Sequence, residues 1–162
     1  MNINQFEWLQ GIVKEAAAAE HVWPEMAGCE AALESGWGSS ALAREGNNLF
    51  GMKQHQHPIY GTLMLPTHEV IDGAVVQVNA NWVKYDSIEE CFADRMETLL
   101  RLRDAFPHYA RALAAPDAVT YVNEVSQSWS TDPERAHKVV AIWSDFKAIQ
   151  AEYVPITGPR TD

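Results

Sequence analysis

Apolar side chains recur every three or four residues along the first part of the chain. This spacing predicts an amphipathic helix from about residue 4 to about residue 20. A second helix is predicted to begin at Pro24, a residue suited to a first helical turn, and to stop at Gly36 and Gly38. The first helix is predicted to bury Phe6, Leu9, Ile12, Val13, Ala16 and Ala17, and the second Met26, Cys29 and Leu33.

The pattern changes after a short predicted helix over 40–45, for which Gly46 is the expected stop. Residues 48–85 are interrupted by prolines and glycines and contain β-branched and aromatic residues, which is typical of short strands. Asp72 and Gly73 lie between two apolar runs, a strong hairpin signal. We therefore predict a small β lobe, residues 48–85, inserted between helices.

Helical spacing returns after the β lobe. Ser87 and Glu90 have the form of a capping box, which predicts a helix start. Shorter helices are predicted at 108–114 and 117–127, and a last one from Asp132, an N-cap followed by a first-turn proline. The predicted buried stripes are Ile88, Cys91, Phe92, Met96, Leu99 and Leu100 in the first of these helices and Val139, Ile142, Trp143, Phe146 and Ile149 in the last.

These elements predict an α+β fold, mainly α, in which a helical lobe carries a small inserted β-hairpin lobe. A chain of 162 residues, 47% of them hydrophobic, suits one domain with a core, which we place at 1–152. Residues 153–162 have the composition of a loose tail. Cys29 and Cys91 fall on predicted buried helix faces, so free thiols are favoured over a disulfide.

The net charge narrows the choice of partners. At a formal charge of -10, the chain repels phosphate backbones and anionic lipid surfaces, so we expect neither nucleic acid nor membrane as a partner. No stretch approaches the roughly 20 apolar residues of a membrane span. The first residues also lack the basic and apolar regions of a signal peptide, so we expect the protein to be made in the cytoplasm.

Glu34 is the first candidate for acid chemistry. It falls in the predicted last turn of the second helix, where the helix dipole already places negative charge. That dipole and the neighbouring Trp37 disfavour the charged carboxylate, so Glu34 is expected to keep its proton and act as a general acid on a glycosidic oxygen. The alternative is an exposed helix-end glutamate without a role. Glu30, one turn earlier, is a rival under either interpretation.

Glycoside hydrolysis usually needs a second carboxylate, and the β lobe offers three. Asp72 has a turn role beside Gly73, and Asp86 stands just before the Ser87 cap. Glu69 has no obvious structural duty, which makes it the candidate. Its alternative identity is that of a solvent-facing strand residue.

Two other segments carry polar and aromatic side chains. "NNLFGMK" at 47–53 pairs two amides with a phenylalanine, an arrangement that suits either a ligand or a plain helix-to-strand connection. His55 and His57 stand two residues apart, but a zinc site needs further ligands, and no HExxH or CxxC motif accompanies them. We expect no metal and no other cofactor.

Five segments, read in order, resemble the glucosaminidase domain of glycoside hydrolase family 73. They are "AALESGWGSSALA", "NNLFGMK", "THEV", "VKYDSIEECFADR" and "STDPERAHKV", and the match covers about residues 5–150. That family has a lysozyme-like α+β fold and cleaves the N-acetylglucosaminyl-β-1,4-N-acetylmuramyl bond of peptidoglycan. The resemblance therefore implies an endo-β-N-acetylglucosaminidase that acts on peptidoglycan glycan strands.

The resemblance also implies roles for individual residues. Glu34 matches the family's general acid, and Glu69 matches the β-lobe acid often proposed as its partner. Whether Glu69 activates water or the acetamido group of the substrate attacks first stays open. The residues expected to bind substrate are Trp37 beside Glu34, Asn47, Asn48, Phe50 and Gly51 on the cleft floor, and Tyr85 at the cleft edge.

One position departs from the family pattern. After "TDP" the family commonly has "xYA", whereas this chain has Arg135 where that tyrosine would be. Either Tyr121 or Tyr60 substitutes for the missing aromatic side chain, or an aromatic residue is not needed at this position.

A substrate outside the cytoplasm requires a route of delivery. We expect a bacteriolytic effector injected by a type VI secretion system and matched by a periplasmic immunity protein that occludes the cleft. The alternatives are a phage endolysin of the same activity, a muramidase, a lytic transglycosylase and an inactive glycan-binding module. The acidic charge disfavours an endolysin, which often uses positive charge to hold anionic walls.

Overall fold

The computed structural model describes residues 1–153, which form seven helices and one two-stranded antiparallel sheet. The predicted α+β fold, mainly α with an inserted hairpin, is confirmed. None of the described helices is long and apolar enough to cross a membrane. The elements are α1 (Ile3–Ala18), α2 (Pro24–Ser35), α3 (Ala41–Gly46), β1 (Gly61–Ile71), β2 (Ala74–Lys84), α4 (Ile88–Leu102), α5 (Pro107–Leu113), α6 (Ala118–Trp129) and α7 (Arg135–Glu152).

Helix α2 is the centre of the helical lobe. Every residue from Met26 to Ala32 is buried, since α1, α6 and α7 all pack against this helix. The approach of α1 is close at Gly28, where an added Cβ would lie 3.0 Å from a methyl group of Val13. Burial of one helix on several faces stabilises it through packing rather than through intrinsic helix propensity. Glu34 is thereby carried on a helix that is packed on several faces.

The predicted hairpin forms as expected, with Asp72 and Gly73 as its two-residue turn. Both residues have positive φ, 50° and 80°, the geometry whose twist matches that of the flanking strands. The hairpin rests on α3 at its base, where an added Cβ on Gly46 would lie 3.2 Å from Leu63. One face of the sheet is half-buried and comprises Leu63, Leu65, Thr67, Val78, Ala80 and Trp82.

Among the helix ends that differ from the prediction are the end of α3 and the start of α7. Helix α3 includes Gly46, and the left-handed residue that ends it is Asn47, with φ 49°. Asparagine tolerates this conformation better than most residues with a Cβ. Helix α7 begins at Arg135 rather than at Asp132, whose carboxylate instead accepts hydrogen bonds from the Glu134 backbone N–H and from Lys138.

The buried stripe of α4 also differs from the prediction. Arg95 is fully buried, whereas Met96 is half-buried and Leu100 is 38% exposed. Arg95 follows Cys91 by four residues and precedes Leu99 by four, so it lies on the inward face of the helix. A charged side chain on that face was not predicted.

The two cysteines are free thiols in the core, in agreement with the sequence analysis. Cys29 packs in the helical lobe, whereas Cys91 lies under the loop that follows α3 and accepts a hydrogen bond from the Leu49 N–H at 3.4 Å. Burial raises the pKa of Cys91 to about 12. Both thiols therefore act as small apolar groups.

The tail predicted at 153–162 lies outside the described residues except for Tyr153. The ring of Tyr153 packs on Phe6, with their centroids 5.7 Å apart, while the residue stays 63% exposed.

Candidate active site

The segment after Glu34 reverses the chain within three residues. Gly36, Trp37 and Gly38 all have positive φ, at 58°, 58° and 73°. The Ser35 hydroxyl fixes this turn, because it donates to the Ala31 carbonyl at 2.6 Å and accepts from the Gly38 N–H at 2.9 Å. Glycine is required at the third position, where a Cβ would lie 2.9 Å from the indole nitrogen of Trp8. The sharp turn leaves the Glu34 side chain at the free end of α2.

Trp37 occupies the left-handed region without being glycine, a strained conformation for a bulky residue. Its half-buried ring packs edge-on against Trp8 of α1, with centroids 5.9 Å apart. The contact with substrate expected for Trp37 stays a prediction.

Glu34 forms an ion pair with a buried arginine. The Nε–H of Arg135 donates to Glu34 Oε1 at 2.7 Å, and the Glu34 side chain keeps 27% of its surface accessible. The apolar surroundings expected from the sequence are therefore wrong for this carboxyl. A guanidinium favours the charged carboxylate, which opposes the influence of the helix dipole.

Arg135 is held by two other partners besides Glu34. Its Nη1–H donates to the Ser126 hydroxyl at 2.8 Å, and its Nη2–H donates to Glu30 Oε1 at 2.9 Å. Glu30 also accepts from Arg95 Nη2 at 3.0 Å and from the Tyr121 hydroxyl at 2.8 Å. We call Glu30, Glu34, Arg95 and Arg135 the charge cluster.

Glu30 is the buried anchor of the charge cluster and not a rival acid. Burial alone would raise its pKa, but Arg95, Arg135 and the Tyr121 hydroxyl together hold the pKa of Glu30 below its usual value. The side chain has no accessible surface. Glu30 is therefore a structural carboxylate that a substrate cannot reach.

Arg95 connects the charge cluster to the aromatic core. Its guanidinium lies 3.6 Å from the ring centroid of Trp129 and 5.0 Å from that of Phe50. Phe50 is 5% exposed and packs edge-on against Phe92, so it supports Arg95 from inside rather than lining a cleft. Two signals in the sequence point to this cluster: Arg95 on the apolar stripe of α4, and Arg135 one turn before Val139 on the stripe of α7.

The two asparagines of "NNLFGMK" hold the loop against β2. The Asn48 amide donates to the carbonyls of Met52 and Val83, both at 2.9 Å, and accepts from the Met52 N–H. Because Asn48 is 1% exposed and both of its N–H donors are used, we assign it a positioning role in place of the expected ligand contact. Asn47 donates to the carbonyl of Tyr85 at 3.0 Å. Beyond them Gly51 is exposed at φ 65°, with open space around its Cα.

Tyr85 lies in the core rather than at the edge of a cleft. It is 1% exposed, and its hydroxyl donates to Asp94 Oδ2 at 2.5 Å. Burial and this hydrogen bond to a carboxylate both raise the pKa of the phenol. Tyr60 packs on Tyr85 with centroids 5.0 Å apart and keeps part of its ring accessible, whereas Tyr121 is fully buried. Of the two substitutes considered for the missing family tyrosine, Tyr60 is therefore the one that a ligand can reach.

Glu69 is exposed on the hairpin and pairs with Lys53 at 3.6 Å. Lys53 bridges to Trp82, which lies opposite Leu63 in the sheet. A straight strand would separate Leu63 from Glu69 by about 20 Å, further than the two side chains of an ion pair can span. The hairpin must therefore curve, which carries Glu69 back toward the loop of Lys53. Glu34 and Glu69 each have a cation partner and lie on different lobes.

A polar crevice of about 430 Å³ opens beside Arg135. Ser126, which binds the Arg135 guanidinium, forms part of its wall, so that wall lies within about 8 Å of the Glu34 carboxylate. Hydroxyl and amide groups of this kind suit an uncharged polar ligand such as a sugar. The lining residues are Ser126, Gln127, Ser130, Thr131, Asp132, Pro133 and Ala136.

The family model Glucosaminidase, described as mannosyl-glycoprotein endo-beta-N-acetylglucosaminidase, matches residues 10–148. The chain belongs to this glucosaminidase family. The resemblance to glycoside hydrolase family 73 drawn from "ESGWG" and "NNLFG" is confirmed, and the chain is a glycoside hydrolase by family.

Individual relatives of this glucosaminidase-family chain agree with the assignment. It is 31% identical over 126 residues to the exo-glucosaminidase LytG of Bacillus subtilis, covering 75% of this chain and 43% of LytG. It is 29% identical over 135 residues to the peptidoglycan hydrolase FlgJ of Pseudomonas aeruginosa, covering 80% of this chain and 33% of FlgJ. The chain thus spans less than half the length of these curated relatives.

A solved structure supports the same fold. A C-terminally truncated glycoside hydrolase domain of Salmonella typhimurium FlgJ superposes with a TM-score of 0.72 at 27% identity, over 89% of this chain and 98% of that truncated domain. The match extends over nearly the whole of that domain.

His21 lies behind the charge cluster as a buried neutral ring. Its Nδ1 is 2.7 Å from the Val22 carbonyl, which can only accept, so Nδ1 carries the proton. The ring packs edge-on against Phe92 and Tyr121. Burial, with Arg95 nearby, lowers the pKa of His21 to about 4.

We expect His21 to make folding stability fall in acid. Its pKa is lower in the folded chain than the ordinary 6.5, so its contribution is complete above pH 6.5 and declines as the pH falls towards 4. The loss amounts to about 2 kcal/mol at pH 5, measured as the free energy of urea unfolding against pH 7.5. His21→Gln should lose less over this range than the wild type, whereas His137→Gln, an exposed change on α7, should lose as much. Equal losses in His21→Gln and wild type would contradict the assignment.

Proposed function

We propose that this chain hydrolyses peptidoglycan, cleaving the N-acetylglucosaminyl-β-1,4-N-acetylmuramyl bond with Glu34 as general acid. Membership of the glucosaminidase family and the likeness to a peptidoglycan hydrolase support the substrate class. The observation that carries the proposal is the placement of Glu34: a partly exposed carboxyl, fixed at a helix end by Arg135, near a polar crevice of about 430 Å³.

The chemistry proceeds by protonation of the leaving group. Glu34 gives its proton to the glycosidic oxygen as the bond from that oxygen to the anomeric carbon breaks, and Glu34 becomes a carboxylate. The positive charge that develops at the anomeric carbon is quenched either by water, deprotonated by Glu69, or by the acetamido oxygen of the same sugar. In the second case water later opens the cyclic intermediate, and no protein base is needed for the first step.

Glu34→Gln is expected to lower the release of glycan fragments from purified peptidoglycan by at least about a hundredfold, since an amide cannot donate the proton. Fragments are separated and their reducing ends identified by mass spectrometry. Glu45→Gln, which neutralises an exposed carboxylate on α3, should digest peptidoglycan at the wild-type rate.

The ends of the fragments decide between enzyme classes. Reducing-end N-acetylglucosamine is the result expected here. Reducing-end N-acetylmuramic acid would indicate a muramidase, and anhydro ends a lytic transglycosylase. Activity that survives in Glu34→Gln would remove Glu34 from the mechanism, and a wild type without activity would favour an inactive glycan-binding module.

Glu69→Gln tests the choice between the two routes. If Glu69 deprotonates water, the variant should lose about two orders of magnitude in kcat while KM changes little. Asp72→Asn, which neutralises the other acid near the hairpin tip, is the matched control and should keep its activity. An unchanged kcat in Glu69→Gln would exclude Glu69 as the base and leave the acetamido route.

Delivery by a type VI secretion system remains a proposal, together with a periplasmic immunity protein over the cleft. The net negative charge of the chain supports delivery by injection, because a protein that binds an anionic cell wall electrostatically would be basic. An effector of this kind should lyse cells when exported to the periplasm and leave them unharmed in the cytoplasm, and Glu34→Gln should be harmless in both compartments. Normal growth with the exported wild type would contradict a bacteriolytic role.

A further inference from the structure

Charge balance in the core makes Glu34 the counter-ion of Arg135. Glu30 and Arg95 already form a neutral buried pair at 3.0 Å. Arg135 adds a second buried positive charge, and the charge that balances it is the Glu34 carboxylate at 2.7 Å. A proton on Glu34 would leave two guanidiniums sharing Glu30. Burial of an uncompensated charge is costly, so the core itself resists protonation of Glu34.

The acid step needs the form of Glu34 that the core resists. A guanidinium stays charged at every pH at which a protein remains folded. Arg135 therefore cannot lose its own proton when Glu34 is protonated. Burial alone would lower the pKa of Arg135, but Glu30 and Glu34 raise it above its ordinary value. Proton transfer from Glu34 to the sugar oxygen restores the ion pair, so the interaction with Arg135 strengthens as the bond breaks. Interactions that are stronger in the transition state than in the ground state accelerate the step.

We propose that Arg135 is a positioning residue for Glu34: it fixes the orientation of the carboxyl, competes with the proton that the acid step uses, and stabilises the carboxylate that the step leaves behind. The inference rests on the proposed function of Glu34. It gives a role to the position at which this chain departs from the tyrosine common in the family.

The consequence is that removal of the Arg135 charge should change how activity depends on pH. The charged and titratable groups around Arg135 come from every element packed on it. Those nearest are Glu30 and Glu34 on α2, Arg95 on α4 and Tyr121 on α6, with Tyr109 on α5, His21 after α1 and Asp132 before α7 further out. Asp132 is already paired with Lys138, and Tyr109 and His21 are neutral near pH 7. The charge that acts on the Glu34 carboxyl is therefore that of Arg135.

Arg135→Met removes the charge and keeps most of the side-chain volume. Its kcat on purified peptidoglycan should fall by about tenfold at the plateau, and activity should extend to higher pH on the alkaline side. Arg135→Lys keeps the charge and loses the planar fork, so its alkaline limb should stay near that of the wild type while kcat falls. Lys147→Met removes an exposed positive charge from the same helix and should change neither quantity.

Folding of the variants is checked by thermal unfolding followed by circular dichroism. In Arg135→Met, Glu30 keeps Arg95 and the Tyr121 hydroxyl as partners, so the core retains a neutral pair. If Arg135→Met does not fold, Arg135→Tyr, which introduces the residue common in the family, takes its place with the same expected shift. A profile for the charge-removing variant that superimposes on that of the wild type would overturn the inference.

A substrate-free measurement separates this inference from the proposed function. The carboxyl carbon of Glu34, assigned by its absence in Glu34→Gln, can be titrated by NMR in the wild type and in Arg135→Met. The titration midpoint should be higher in the variant, because the guanidinium that favours the carboxylate is gone. The same midpoint in both proteins would refute the role of Arg135 even in an active enzyme. A raised midpoint in a chain that releases no fragments would refute the hydrolase and leave the ion pair intact.

Discussion

The buried ion pair between Glu30 and Arg95 is the constraint on which the rest of the site depends. Two charges without contact to water are costly unless they are paired, and here Glu30 accepts hydrogen bonds from Arg95, Arg135 and Tyr121. These donors come from α4, α7 and α6, so one carboxylate on α2 fixes the relative positions of four helices. Glu34 lies one turn further along α2, so the same arrangement of helices fixes its position.

The β lobe depends on a different kind of anchor. Asn48 satisfies backbone groups of Met52 and Val83 where the loop after α3 meets β2. Tyr85 and Asp94 then tie the end of β2 to α4. These contacts hold the base of the hairpin rigidly, while Glu69 lies near the exposed tip. Glu34 thus lies on a helix that is packed firmly in the helical lobe, whereas Glu69 lies on a curved, solvent-exposed hairpin.

Both acids are paired with cations, and the two pairs differ in physical character. Lys53 and Glu69 are 60% and 47% exposed, so solvent screens their attraction and the pair opens at little cost. Arg135 is buried and held by two other groups, so Glu34 meets a charge that does not move away. Separating Lys53 from Glu69 when substrate binds therefore costs little free energy. The environment of Glu34, in contrast, changes only if its carboxyl gains a proton or turns away from Arg135.

The sequence by itself determined the order of elements, the hairpin turn at Asp72 and Gly73, the two free thiols, the family and the position of Glu34 at a helix end. These follow from hydrophobic periodicity, turn chemistry and short motifs, which are local properties of the chain. Tertiary structure alone decided which polar side chains face inward. The expected cleft contacts of Asn48, Phe50 and Tyr85 became core contacts, and Arg135 replaced the apolar surroundings expected for Glu34. Partners in the charge cluster are separated by up to 105 residues along the chain, so no local pattern encodes their pairing.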